Sequence, residues 1–493
     1  MNLFRGLKKV VGLSSVDAID HRGKRRRPPA TVTYDEDHYY RGNRRRKLQA
    51  TARESVRNYA IAQWALRKHL DYISSMRFQS RSSDRGFNKH LEAWWKIRSS
   101  KRHADVSRRH SLDTMLRLCE AQTTVIGDHA FLKIKSSLGS NDSFRGKLQA
   151  IEGDRIAYSS DGAPKTLKAE DWLHGVNLSP SGAARAYMIC RRTPGSNRLS
   201  FERTVPSRSV FFHANYERFD QVRGVSPIAS SLSSMADIYE GFSYAMSKLK
   251  VAQLFGLATY RASEDSFGSS VGQDTDGDGS PDEFNIDLTA GPMLLDLDSE
   301  DRAEFLEAKT PATETVNFLE LMIAVTLKSL DIPMSFFDES KSNFYGSRAG
   351  LIQYQYSAAH KRSRLKEIAN DVAKWWIGLA VADGTLSLPS GWSFEDIDFE
   401  FISSGIPWWD PLKESKAALM SLSGGLDSPQ NVCHQSGTDF YSNVDALADA
   451  KRYAAAAGVP MAWAVTNSSE AENVDEAPEE APEEAPEEAP EEE

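Results

Sequence analysis

Asp274-Thr275-Asp276-Gly277-Asp278-Gly279-Ser280-Pro281-Asp282 is the stretch whose residue types could hold a metal ion. Alternate acids followed by glycine gather hard oxygen ligands around one point, and the glycine permits the turn that a calcium loop needs. The candidate Ca2+ ligands are Asp274, Asp276, Asp278 and Asp282. Position twelve of an EF-hand loop falls on Asn285, not on a bidentate glutamate, and no amphipathic helices flank the stretch, so a solvated acidic loop is the competing reading. An ion held there would order the segment and would not catalyse. Gly268-Ser269-Ser270-Val271-Gly272 matches the nucleophile-elbow pattern G-x-S-x-G, but it lacks the apolar strand before and the helix after that expose such a serine. No Walker-type phosphate loop, HExxH or zinc-spaced Cys/His cluster occurs, which argues against catalysis by this chain. Cys119, Cys190 and Cys433 are odd in number and have no CxxC spacing, so they read as buried free thiols. His174 and His213 have no matched serine, acid or metal-ligand spacing and read as structural histidines.

Cations that could meet phosphate are Lys248, Lys250, Lys341 and Arg348. Lys248 and Lys250 stand near the end of a helical pattern, where they also complement its dipole. Lys341 and Arg348 fall in the polar, Gly/Ser-bearing stretch 336–350 between two apolar-periodic segments. Upstream, Val316, Leu319, Met322, Ile323, Leu327 and Leu330 recur at helical spacing until Asp331-Ile332-Pro333, where proline moves Ile332 out of the α region. Downstream, Ser347 is the expected N-cap of a helix through Ile352, Ala359, Leu365, Ile368, Val372 and Trp376, towards Gly384. The stretch between them is expected to be a presented loop.

The rest of the chain reads as α+β. Val56, Ala60, Trp64, Ala65 and Leu70 form one helical stripe. The Trp94-Trp95 block and Leu112, Met115, Leu118 and Cys119 form two more, so three helices are expected before any sheet. Ala130–Ile134, Ala186–Cys190 and Ser209–His213 read as strands of an antiparallel sheet, which strands at Trp392–Phe394 and Ile397–Phe401 could rejoin. A long helix is expected from Ser226 (N-cap) and Pro227 to about Leu254, spanning about 40 Å at about 1.5 Å per residue.

At 493 residues the chain suggests several domains, and its 40% hydrophobic content can build cores. It has no uncharged apolar run long enough to span a bilayer and reads as soluble, with no membrane partner. The formal charge of −9 conceals a polarity: residues 1–110 carry 27 Lys and Arg against 10 Asp and Glu, whereas residues 469–493 carry 13 acids and no base. Local sign governs attraction to a polyanion, so the basic front could face nucleic acid despite the acidic total. The clusters at 22–29 and 41–47 could contact phosphates, or form a solvated arm draped over a neighbouring subunit. Four Ala-Pro-Glu-Glu units near the C-terminus are too charged and proline-rich to fold alone.

Seven stretches in order give the chain a likeness to a known family. They are Ala52-Arg53-Glu54-Ser55-Val56-Arg57-Asn58, the Trp94-Trp95 block, Gly127-Asp128, Leu148-Gln149-Ala150-Ile151-Glu152-Gly153-Asp154-Arg155, Arg218-Phe219-Asp220-Gln221-Val222-Arg223-Gly224-Val225-Ser226-Pro227, Ser342-Asn343-Phe344-Tyr345-Gly346-Ser347-Arg348-Ala349 and Trp408-Trp409-Asp410-Pro411-Leu412-Lys413-Glu414. Over residues 50–460 the chain resembles the portal proteins of tailed bacteriophages, lambda type. It has Asp128 where that family usually has glutamate.

The resemblance implies a virion protein, assembled in the host cytoplasm into a ring that is usually a homododecamer, at one capsid vertex. Double-stranded DNA would be packaged and ejected through it, without sequence preference. Implied partners are the terminase large subunit, which would hydrolyse the ATP, then a head-tail adaptor, and the major capsid or scaffold protein. The implied portal fold has an α/β wing, a two-helix stem, a small β-containing clip and a long helix leading to a helical crown. The parts would be a basic arm (1–51), the first wing part (52–225), a stem helix (226–255), a clip (256–311) with an acidic insertion (263–287), a second stem helix (312–333), a tunnel loop (334–350), the long helix with wing strands (351–409), a crown (410–465) and a disordered acidic tail (466–493). Lys341 and Ser342, then Arg348, would touch DNA, and Phe344 and Tyr345 would pack on the adjacent subunit's loop. The insertion and the tail depart from the family pattern. The competing classes are a metal-dependent or serine hydrolase built on the insertion, and another head-tail adaptor; deleting 263–287 would abolish such a hydrolase and leave a ring intact.

Overall fold

Helical spacing builds the first half of the larger unit. In α1 (Arg44–Asn58) Leu48, Ala52 and Ser55 are buried, and in α2 (Ala60–Ile73) Ala62, Ala65, His69 and Ile73 are, in steps of three and four. Tyr59 between them is extended (φ −104°, ψ 113°), which breaks what would be one rod into two helices. Of the basic cluster at 41–47, residues 44–47 are therefore the first turn of a helix and not a free arm, and Arg45 is buried.

The computed structural model describes residues 35–41, 43–135, 144–157, 172–193, 195, 198–254, 257–260, 302–305, 313–403, 405 and 410–459. They divide into two units, Met1–Ser404 and Gly405–Glu493.

A strand interrupts the helices, against the expectation that three helices precede any sheet. β1 (Met76–Ser80) pairs antiparallel with β11 (Phe399–Ser403), with Phe78 opposite Phe401. Five residues are too few for a period-2 signal to stand out, and the partner strand lies over three hundred positions away. The expected strand at Trp392–Phe394 is not formed: Phe394–Asp396 is a 3-10 turn, capped by Ser393, whose hydroxyl accepts from the Glu395 N–H. α3 (Arg85–Arg98) carries the Trp94-Trp95 block into the core, where Trp95 stacks on Phe78 (centroids 4.3 Å apart) and meets Trp376 and Phe401. α4 (Leu112–Ile126) follows and ends at Gly127 (φ 99°).

The expected single antiparallel sheet is two sheets. β2 (Asp128–Ile134) lies between β3 (Lys147–Glu152) and β8 (Val210–Ala214); β4 (Trp172–Leu173), β5 (Val176–Leu178), β6 (Ala184–Arg192) and β7 (Leu199–Pro206) form the other in sequence order. Side chains alternate across each strand. Ala130 and Leu132 of β2 join Val176, Tyr187 and Ile189 in a core between the sheets, while Phe131 points the other way into the helical core with Phe211.

α5 (Leu232–Leu254) is preceded by a 3-10 turn, Pro227–Ser231, so the α-helix starts five residues later than the Ser226 cap implied. β9 (Leu257–Tyr260) and β10 (Arg302–Phe305) pair antiparallel. α6 (Thr313–Leu327) leads through a short 3-10 turn to Asp331. α7 (Phe344–Ala382), 39 residues and so about 58 Å long, buries Leu365, Ile368, Ala369, Val372, Ala373, Trp376 and Ile377 at helical spacing. The Arg98 guanidinium lies over Trp376, its Cζ 3.8 Å from the ring centroid, and donates to the carbonyls of His103, Arg145 and Gly146. Burial lowers its pKa to about 9, so it remains charged at neutral pH.

The smaller unit holds α8 (Pro411–Ser423), α9 (Pro429–Gln435) and α10 (Phe440–Ala457). Cys119 and Cys190 are buried thiols as expected, whereas Cys433 on α9 is only half-buried, because this unit encloses few residues.

Candidate functional site

The stretch expected to be one loop is mostly structured. Asp331, in the left-handed region (φ 62°), ends the turn after α6, and the 3-10 turns Met334–Phe336 and Glu339–Lys341 follow. Phe336 stacks on Tyr72 (5.6 Å) and meets Tyr354 edge-on (5.3 Å); Phe337 meets Trp64 edge-on (5.7 Å). The first half of the stretch is thereby anchored on α2 and α7. The Asp338 carboxylate accepts from the Ser340 N–H at 3.0 Å and caps the second turn.

Asn343, not Ser347, caps α7: its Oδ1 accepts the Gly346 N–H at 2.7 Å. Asn is as good a cap as Ser, and here it comes one turn earlier, so the helix begins there. A Cβ on Gly346 would meet Ser342 Oγ at 2.8 Å and Asn343 Oδ1 at 3.0 Å, so a side chain would crowd the cap. Phe337, Glu339 and Ser340 are exposed, and so is the corner Asn343–Gly346, where Phe344 and Tyr345 reach 49% and 79% exposure with their rings edge-to-face at 5.6 Å.

The predicted contact residues are dispersed over this geometry. Ser342 is half-buried just before the cap, with its Oγ donating to the Asn343 carbonyl at 3.3 Å. Lys341 closes the second 3-10 turn. Arg348, expected in the loop, is half-buried within the first turns of α7. Lys248 and Lys250 are exposed near the end of α5; two residues apart, they point to different sides of it. Asp274, Asp276, Asp278 and Asp282 lie outside the described residues, as do most of residues 256–311, expected to be a clip, and all of 466–493. Among the described residues, no group of three or more His, Cys, Asp or Glu could hold a metal ion, and no helix is long and apolar enough to cross a membrane.

The larger unit also holds a buried charged hub that sequence reasoning did not assemble. Asp128 is fully buried at the start of β2. Its carboxylate accepts from Arg45 Nη2 (2.7 Å), Arg223 Nε (2.7 Å) and Nη2 (2.8 Å), and the Gly224 N–H (3.1 Å). Arg223 also donates to the carbonyls of Gly153 (2.6 Å), His174 (2.6 Å) and Ile156. Burial pushes the Asp128 carboxyl up, but Arg223 and Arg45 outweigh this and hold it below its ordinary range. Burial lowers Arg45 to about 10, which leaves it cationic at neutral pH. So many donors around one carboxylate is the condition under which buried ions are tolerated.

Close backbone approach is part of the same hub. A Cβ on Gly224 would fall 1.9 Å from the Gly127 carbonyl oxygen, and one on Gly153 would fall 2.1 Å from Asp128 Oδ1. Arg53 adds ion pairs to Asp154 (2.8 Å) and Glu152 (2.9 Å). Four of the stretches noted in the sequence therefore converge here, through Arg53, Gly127-Asp128, Glu152-Gly153-Asp154 and Arg223-Gly224. Their role is architectural. The signal that could have found them was a buried-type glycine beside a charge in two separate stretches, Gly127-Asp128 and Arg223-Gly224.

A second buried cluster lies between α2, α4 and β8. Glu120 meets His69 Nε2 at 3.0 Å and His213 Nε2 at 3.5 Å, and Thr124 Oγ1 lies 3.2 Å from His69 Nε2. His129 is opposite His213 in the β2–β8 register. Burial pushes Glu120 up, but hydrogen bonds from His213 and His69 hold it below the carboxylate range. Burial lowers His69, and lowers His129 to about 3. His213 and His174 are structural, as expected; His174 bonds the Asp37 carbonyl at 3.0 Å.

Among solved structures, a chain from the virion of the native gene transfer agent (GTA) particle is 11% identical, with a TM-score of 0.47, over 81% of this chain and 94% of that one. A chain from the neck of the empty GTA particle is 12% identical, with a TM-score of 0.47, over 81% of this chain and 95% of that one. No curated protein matches. The family model described as phage portal protein, lambda family, matches residues 23–360, a span that contains the hub, both helices α5 and α6, and the 331–350 segment. The chain belongs to the lambda family of phage portal proteins.

Proposed function

We propose that copies of this chain form a ring, of twelve subunits, at one vertex of a phage capsid, and that double-stranded DNA passes through it in packaging and ejection. The observation that carries this reading is the family match across residues 23–360. The role is structural: the ring docks the terminase large subunit, which hydrolyses the ATP, and later the head-tail adaptor. Residues 256–311 would face these partners. Exposed apolar side chains on α5 (Phe242, Tyr244, Met246) and α6 (Phe318, Leu321, Val325) support a ring, because a neighbouring copy would take them out of water.

A channel must hold DNA loosely enough to slide. Scattered cations and short polar segments suit that task better than base-reading contacts. Lys341, Ser342 and Arg348 are the proposed contacts to the phosphate backbone, with Lys248 and Lys250 as a second set. Electron microscopy of the purified protein tests the ring: particles with a central hole support it, and a compact monomer at high concentration would sink it. Replacing Lys341 and Arg348 together by alanine is expected to lower DNA retention in filled heads and to reduce its salt dependence. Unchanged packaging and retention at low salt would remove these residues from the channel.

A further inference from the structure

The segment proposed to meet DNA is held along α7 from one end. Asp331 Oδ2 accepts from Ser357 Oγ at 2.5 Å and from Lys361 Nζ at 2.8 Å, and Lys361 Nζ also donates to the Leu330 carbonyl at 2.9 Å. Ser357 and Lys361 are four residues apart, so they share one face of α7. Further along, a Cβ on Gly350 would lie 3.2 Å from Ser335 Oγ and 3.4 Å from Pro333 Cβ, and Phe336 meets Tyr354. The chain from 331 to 336 therefore runs back along residues 361 to 350 of α7.

Asp331 is suited to start this path. It takes a left-handed conformation (φ 62°) that few residues other than Gly, Asn and Asp adopt readily. That conformation turns the chain sharply after α6, and Ile332, fully buried, donates its N–H to the Leu327 carbonyl at 3.1 Å. The Lys361 side chain is only 14% exposed, so its ammonium needs a partner, while Asp331 is 55% exposed and within reach of water. An ion pair with one wet member can open without stranding a fully buried charge on both sides.

We propose that Asp331 is a positioning residue for the DNA-contact segment: its bonds to Ser357 and Lys361 clamp the segment's base to α7 and set how far residues 337–346 project. The proposal rests on the channel reading, because the segment's position matters only if something passes it. Opening the clamp would free the chain between Asp331 and the aromatic anchor at Phe336, leaving the Asn343 cap in place. Phe336 and Phe337 would then be held by ring contacts alone, to Tyr72, Tyr354 and Trp64, so they and the residues beyond them could shift, and the segment would loosen without unfolding.

The test uses full-length rings carrying Asp331→Gly, Asp331→Asn or Lys361→Met. Glycine keeps the left-handed turn and removes the carboxylate; asparagine keeps the turn and an acceptor but not the charge. Hydrogen exchange over residues 332–343 is expected to quicken about tenfold in Asp331→Gly and Lys361→Met, the scale of losing one hydrogen bond to a charged group. Asp331→Asn should fall between these and the parent, and exchange in α4 and in α7 beyond Leu365 should stay unchanged. DNA retention in filled heads should decline in the same order. Equal exchange over 332–343 in all four proteins would overturn the clamp. Quickened exchange with retention equal to the parent's would overturn its role in positioning. Rings of the parent sequence that take no DNA would instead refute the channel reading, whichever residue stands at 331.

Discussion

α4 and α8 are 15 and 13 residues long, yet α4 buries nine of its residues and α8 none. The larger unit is pinned by its own interior: two sheets share one core, helices share another, and the Asp128 hub ties α1, β2 and the 223–224 turn together. In the smaller unit Ala454 is the one fully enclosed apolar residue among those described, and Leu412, Leu419, Met420, Leu426 and Tyr453 stand in water. Its helices are delimited by caps. Asp410, Ser428 and Asp439 each accept a backbone N–H at a helix start, and Gly458 (φ 67°) closes α10. Helices of this length are marginal in isolation even with good caps. The difference teaches that the first unit carries its own core, whereas the described residues of the second leave their apolar side chains exposed; under the ring reading neighbouring copies would cover them.

The largest effect that would test this contrast is removal of the hub carboxylate. Asp128→Ala leaves Arg45 and Arg223 buried without their counter-ion, and is expected to destabilise the larger unit by about 3–5 kcal/mol. Urea unfolding followed by tryptophan fluorescence measures it, since Trp94, Trp95 and Trp376 all lie in that unit's core. A loss below about 1 kcal/mol would mean that the hub does not hold the fold.

Acidification should separate the two units less strongly. Burial keeps His69 and His129 neutral, so their folded pKa values lie below the unfolded value near 6.5. The unfolded chain then takes up protons first, and stability is lost as pH falls below about 6.5. With His129 lowered to about 3, this group alone contributes a loss of about 2 kcal/mol between pH 7 and 5. Glu120 and Asp128, also lowered, give stability that is present above their unfolded values near 4 and lost below them. Hydrogen exchange at pH 7 and 5, corrected for the intrinsic rate, should show α2, α4 and β2 losing protection. α8 to α10 contain no such buried histidine among their described residues and should change little.

The smallest effect is expected in the smaller unit. Replacing Leu419 and Met420 together by serine should alter the unfolding of the single chain by no more than about 0.5 kcal/mol, as for exposed sites generally. The same change should weaken assembly of subunits into rings, measured by sedimentation. A large loss of chain stability would show that α8 has an internal partner after all.

Helical spacing made much of the larger unit legible, because residues such as Leu112, Met115 and Cys119 recur every three to four positions whatever they pack against. β2 and β8 were legible too, as short apolar runs between turns. β1 was not, since five residues next to a helix carry no distinct period and its partner lies at 399–403. The start of α7 was misplaced by one turn because Asn343 and Ser347 are both good caps, and only the bond from Gly346 chooses between them. The cations Lys248, Lys250, Lys341 and Arg348 could be picked out by type and by place at helix ends, but their exposure could not. Arg348, which looked presented, is half inside α7.

By itself the amino-acid sequence determined the helix periods, the turn residues, the uneven distribution of charge and the order of stretches that mark a portal protein, because each is written in neighbouring residues. Only the tertiary structure decided that Asp128 meets Arg45 and Arg223, that Asp331 meets Lys361, and that the larger unit builds extensive cores while the smaller, among its described residues, encloses almost no apolar side chain. Those outcomes depend on pairs separated by 30 to 95 positions, or on whole faces, and a charge or a leucine reads the same in a sequence whether its partner is present or not.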